Sequence, residues 1–187
     1  MNCSVFIIHG IYGSPEENWF PWLKDGLESL GCKVFVPEFP NPASPRLNEW
    51  LDFFDKYKKY LNEDSIVVGH SLGVAFLLRI LEKYPVRAAF FVASVTPRLE
   101  NKFSWQMKTF VEKEPDWDKI KSNCRNFFVY GSDNDPYIPL PKSEELAKNL
   151  DSELIIIKNA GHFNEKSGYK TFELLLEDIK NITAKHL

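Results

Sequence analysis

Few cysteines, no long apolar run and almost no charge bias mark this chain, and each shortage removes a class of protein. Cys3, Cys32 and Cys124 are odd in number, widely spaced and in no C-x-x-C arrangement. They predict neither a disulfide framework nor a cysteine-held metal, and they suit a reducing compartment. No apolar stretch approaches the roughly 18 residues that a membrane span requires. The chain enters the apolar run Val5-Phe6-Ile7-Ile8 without a charged start and a long apolar segment, so no signal peptide is expected and the location expected is cytoplasmic. With a net charge of −3 and no basic block, neither nucleic acid nor a membrane surface is an expected partner. The nearest basic cluster, Lys56-Tyr57-Lys58-Lys59, reads as the solvated face of a helix. Internal repeats and low-complexity tracts are also missing.

What is present suits one α/β domain over residues 1–187, long enough to bury roughly 70% of its unfolded surface. Short apolar runs at Val5–His9, Lys33–Pro37, Ser65–Val68, Arg87–Ser94, Asn126–Tyr130 and Glu153–Lys158 predict six strands. Helical patterns fall between them: Trp19–Leu30, a face of Leu47, Trp50, Leu51, Phe54 and Leu61, a stretch ending before Pro85, one near Ser143–Asn149, and a closing helix over Gly168–Thr183. Strands alternating with helices imply right-handed crossovers and a parallel sheet covered on both faces, a three-layer α/β/α sandwich. The long connection Thr96–Arg125 carries Phe103, Trp105, Phe110 and Trp117 on one or two short helices. It reads either as a crossover with aromatics packed inward or as a small lid, 96–125.

The most informative stretch is Ser65-Ile66-Val67-Val68-Gly69-His70-Ser71-Leu72-Gly73, with Val74, Ala75, Leu77, Leu78 and Leu81 following at helical spacing. This is G-x-S-x-G between a strand and a helix, the context the motif demands. A bare match arises by chance in roughly 6% of chains this long, so the flanking elements carry the argument. A serine held on a sharp elbow needs neighbours without Cβ atoms, and the new helix aims its free N–H groups and positive end at the chemistry.

Ligands in parallel sheets sit at the carboxyl ends of the strands. There the first strand leads to His9-Gly10-Ile11 and the third to Ser71. The fifth leads to Gly131-Ser132-Asp133-Asn134-Asp135-Pro136, and the sixth to Asn159-Ala160-Gly161-His162-Phe163. A hydroxyl, a carboxylate and an imidazole therefore share one edge, in the chain order Ser, Asp, His. A serine is a poor nucleophile until an imidazole accepts its proton, and the imidazole needs a carboxylate on its other nitrogen. His162 is the expected base. Asp133 and Asp135 compete for the acid role: Asp135-Pro136 places a carboxylate just before an extended segment and is preferred, while Asp133 is placed to cap the turn. Backbone N–H groups of Ile11 and Leu72 are the expected oxyanion donors. His9 and His70 are expected to pack or bond locally, and His186 lies in the tail. Trp19, Trp22, Trp105, Tyr137 and Phe163 are candidates for an apolar substrate pocket. No cofactor or metal is required.

Taken together, Ile7-Ile8-His9-Gly10, Asn18-Trp19-Phe20-Pro21-Trp22-Leu23, Pro40-Asn41-Pro42, Pro45-Arg46-Leu47, Trp50-Leu51, the elbow, Asp135-Pro136 with Pro139, and Gly161-His162-Phe163 span nearly the whole chain. In them the chain resembles the retinoblastoma-binding protein 9 family of small serine hydrolases, and within it the bacterial YdeN-like branch. The resemblance implies a minimal α/β-hydrolase fold with strand order 2-1-3-4-5-6 and no large cap. It also implies a triad on Ser71, Asp135 and His162 and esterase- or amidase-like activity on a small acyl substrate. The retinoblastoma-binding L-x-C-x-E motif is missing: Leu30-Gly31-Cys32-Lys33-Val34 has Val where Glu would stand, so no such partner is implied.

The expected function is acyl transfer to water through Ser71. Its rivals are a catalytically silent binding module on the same scaffold and cofactor-free perhydrolysis at the same elbow.

Overall fold

The computed structural model describes residues 3–184, so His186 lies outside the described residues. Strands β1 (Ser4–Ile8), β2 (Lys33–Phe35), β3 (Ile66–His70), β4 (Ala88–Val92), β5 (Asn126–Ser132) and β6 (Leu154–Ile157) form one parallel sheet in the order β2-β1-β3-β4-β5-β6. That is the expected fold. β3 and β4 are buried at every residue, which suits their unbroken apolar runs in the middle of a sheet covered on both sides. The edge strand β2 has three residues, short enough to offer little to another chain.

The helices are α1 (Phe20–Ser29), α2 (Leu47–Phe54), α3 (Leu72–Leu81), α4 (Ser104–Val111), α5 (Trp117–Asn123), α6 (Leu140–Asn149) and α7 (Glu173–Ala184). The β1-to-β2 connection runs opposite in direction to the others, so the right-handed rule places α1 on the other face of the sheet. There it packs against α7, with Gly26 facing Leu176, while α3 packs against α4 and α5. α3 is buried along its whole length, and this makes it the central helix of the molecule. None of the described helices is long and apolar enough to cross a membrane.

Three expectations on boundaries are corrected. The helix expected through Leu61 stops at Phe54 and tightens into a 3₁₀ turn over Asp55–Tyr60, where Lys56 lies over the Phe53 ring at 3.5 Å. Lys56–Lys59 therefore sits on that turn and not on a helix face. The last helix starts at Glu173, because a 3₁₀ turn at Glu165–Ser167 and the left-handed Gly168 intervene. α6 begins at Leu140, so Pro141 sits in its first turn, where a missing N–H costs nothing.

All three cysteines are free and buried. Cys3 and Cys32, 29 positions apart, meet at the amino end of β1 and β2 with their sulfurs 2.7 Å apart.

Candidate active site

β3 delivers Ser71 to the elbow with φ 55° and ψ −118°, a conformation that a non-glycine residue adopts only under constraint. The constraint is visible in the neighbours. Ser71 N donates to Val92 O at 2.9 Å, while Ser71 O accepts from Val95 N at 3.2 Å and Val74 N at 3.1 Å. A Cβ on Gly73 would collide with the Ile8 carbonyl oxygen, and one on Gly10 would lie 2.9 Å from Ser71 Cβ. The glycines thus let the β1 strand end and its loop pass directly against the elbow. Ser71 is the N-cap residue of α3 but makes no side-chain cap bond, so its hydroxyl is not spent on the helix.

The loops after β5 and β6 are zipped together by three consecutive acceptors. Asp133 Oδ1 accepts from Asn159 N at 2.8 Å, Asn134 Oδ1 from Gly161 N at 2.7 Å, and Asp135 Oδ2 from His162 Nδ1 at 2.8 Å. Asp135 Oδ1 also accepts from Tyr137 N at 2.8 Å and Ile138 N at 3.1 Å, and its side chain is only 1% exposed. A carboxylate oxygen can only accept, so His162 Nδ1 is the donor in this bond, and in the neutral imidazole that tautomer leaves Nε2 as the acceptor. Of the two aspartates weighed for the acid role, Asp135 meets the imidazole, and the exposed Asp133 ties down the β6 loop.

Two more groups grip the His162 loop from behind. His70 Nε2–H donates to His162 O at 2.9 Å, and Trp19 Nε1–H donates to Phe163 O at 3.0 Å. His70 packs edge-on against Trp19 and Phe20, and burial lowers its pKa to about 3, with the neighbouring His162 acting in the same direction. It is held neutral, and its Nδ1 is buried without a partner among the described residues. His9 is fixed by Phe39 N donating to Nε2 at 3.1 Å and by its own Nδ1–H donating to Gly10 O at 2.8 Å, and burial lowers its pKa too. Both histidines pack and bond locally, as expected.

A cavity of about 460 Å³ opens over these groups and is lined by Ser71, His162, Ile11 and Tyr137, among others. No hydrogen bond joins Ser71 to His162 among the described residues. Apo sites often hold this contact long, and it tightens with substrate. The amide of Ile11 has no backbone partner among the described residues, and neither has that of Leu72, the first residue of α3.

Of the five aromatics expected to line a pocket, Tyr137 alone does so. Trp19 and Phe163 are fully buried, their rings stacked with or set edge-on to Phe172. Trp22 is half-buried against the core, and Trp105 is 73% exposed on the outer side of α4. The apolar wall comes instead from Phe103, Met107, Val95 and Ile138, with Tyr12 beside them and Glu17 toward the polar end. Burial raises the Glu17 pKa. Phe103, Met107 and Phe110 recur at helical spacing, and that period, set against Trp105, carries the signal for which face of α4 turns inward.

A six-stranded parallel sheet with the elbow after its third strand defines an α/β-hydrolase fold. The serine hydrolase family model matches residues 5–181, and the chain belongs to that family. It is similar to YdeN of Bacillus subtilis (strain 168), 32% identical over 99% of this chain and 98% of the relative. Serine hydrolase RBBP9 of Rattus norvegicus is 30% identical over 90% of this chain and 88% of its own. The crystal structure of the B. subtilis ydeN gene product superposes with a TM-score of 0.90 at 30% identity, covering 97% of this chain and 98% of that one.

Proposed function

We propose that this hydrolase cleaves a carboxylic ester, thioester or amide through a Ser71–His162–Asp135 triad. The observation that carries the reading is the Asp135–His162 bond at 2.8 Å in the wall of the cavity that Ser71 also faces. His162 Nε2 takes the Ser71 proton as Oγ attacks the carbonyl carbon. The oxyanion that forms is met by the N–H groups of Ile11 and Leu72, the latter at the positive end of α3. Proton return from His162 expels the alcohol, thiol or amine and leaves an acyl-Ser71. Water, deprotonated by the same imidazole, then releases the acid. The substrate is a small acyl compound whose apolar part lies against Phe103, Met107 and Tyr137, with residues 96–125 acting as a small lid over it.

Pre-steady-state hydrolysis of p-nitrophenyl esters tests the reading. The expected result is a nitrophenol burst of about one equivalent per Ser71, absent in a folded Ser71→Ala variant that also loses at least about 10³-fold in kcat. Wild-type turnover that survives in Ser71→Ala would reject the assignment, and a folded wild type inert toward every ester would bring the silent binding module forward.

A further inference from the structure

Cys3 and Cys32 are separated by 29 positions in the chain, and nothing in the proposed chemistry uses them. The register brings them together. Ser4 pairs with Lys33 in the β1–β2 ladder, and Lys33 N donates to Cys3 O at 2.9 Å, so Cys3 and Cys32 occupy the rung just before it. Neighbouring strands lie about 4.8 Å apart, inside the Cα separation a disulfide accepts. The sulfurs are 2.7 Å apart, and both residues keep a small exposed fraction of 6% at the sheet edge. Cys124 is the internal contrast: it is 1% exposed, its Sγ is turned to Asn126 O, and burial pushes its thiol up to about 12.

We propose that Cys3 and Cys32 are a dithiol modification site that closes to a reversible intramolecular disulfide on meeting a low-molecular-weight disulfide such as oxidised glutathione. The hydrogen bond between the two sulfurs lowers the Cys3 thiol, with Arg87 helping, whereas the same bond pushes the Cys32 thiol up. Cys3 is thus the attacking thiolate and Cys32 the resolving thiol. Cys3 Sγ attacks one sulfur of the oxidised glutathione, forming a mixed disulfide and expelling one glutathione thiolate, which is protonated. Cys32 gives up its proton and attacks Cys3 Sγ, closing the Cys3–Cys32 bond and expelling the second. Two protein thiols are oxidised and one glutathione disulfide is reduced to two thiols.

The pair lies at the amino ends of the strands, the opposite edge from Ser71, and ties the edge strand β2 and α1 to the centre of the sheet. Oxidation therefore acts on stability and leaves the acyl chemistry alone, so the proposal stands apart from the triad. The test exposes the full chain to oxidised glutathione, then counts thiols in denaturant and maps peptides without reduction. The expected result is a loss of about 2 Da, titratable thiols falling from three to one, a linked Cys3–Cys32 peptide and a Tm about 5 °C or more higher, all reversed by dithiothreitol. Cys32→Ser stops at one glutathionyl group on Cys3, and Cys124→Ser oxidises like the wild type. Three thiols remaining, a lasting mixed disulfide on the wild type, or a link through Cys124 or between chains would overturn the proposal.

Discussion

Asp133, Asn134 and Asp135 stand side by side and hold three different partners across the sheet edge: Asn159 N, Gly161 N and the His162 imidazole. The assignment of roles predicts opposite outcomes for the same chemical change. Asp135→Asn puts an amide where the imidazole N–H needs an acceptor, and kcat should fall about 10³–10⁴-fold. Asp133→Asn keeps an oxygen for Asn159 N and should stay within a few-fold of wild type. Steady-state kinetics on one ester decides it, and equal losses in the two variants would sink the assignment. His70 yields a second residue-scale prediction. Its folded pKa is about 3, below the ordinary 6.5, so the unfolded chain alone takes up this proton as pH falls. The stabilisation is complete above 6.5 and drains as pH drops toward 3. His70→Gln retains a donor for His162 O but does not titrate. Relative to it, the wild type should lose about 2 kcal/mol between pH 7 and pH 5, read by urea denaturation at each pH. His9 is shifted in the same direction and cancels in the comparison.

Among the elements, α3 does two jobs at its two ends. Its first residue follows Ser71, and near its last turn the buried Arg79 reaches the carbonyl ends of α4. The guanidinium donates to Phe110 O at 3.3 Å, to Lys113 O and to Glu114 O, and pairs with Glu82 at 2.9 Å. Cationic donors at a helix C-terminus satisfy carbonyls that have no partner in the helix. Arg79→Met should cost about 3 kcal/mol, since it strands Glu82, 11% exposed, together with those carbonyls. Tm should fall by roughly 6–12 °C for a chain of this size, and an unchanged Tm would show that the contacts contribute nothing. An Arg79→Met/Glu82→Leu pair should recover part of the loss.

At the scale of the whole molecule, what was legible followed from whether the signal is local. The Ser71 elbow was legible because an apolar run, glycines and a serine lie within nine consecutive positions, whereas the strand order came only through the family resemblance. The pocket aromatics were not. The period of Phe103, Met107 and Phe110 marks Trp105 as outward, but nothing local tells whether Trp19 enters a pocket or the core until α1 has docked. Trp19 is fully buried while Trp105 is 73% exposed. The Cys3–Cys32 contact was hidden for a related reason. Spacing in the chain says nothing about rungs of a parallel ladder whose strands are joined by a crossover helix. Asp135 lies between these cases: its Pro136 and the family resemblance favoured it over Asp133, while its contact with His162 exists only once the β5 and β6 loops have met.

The central claim is that the fold places an activated serine at position 71. Intact mass after exposure to a fluorophosphonate probe, on the wild type and on folded Ser71→Ala, tests it most directly. One covalent adduct is expected on the wild type and none on the variant. A well-folded wild type that takes up no probe, or a Ser71→Ala variant that still does, would contradict it.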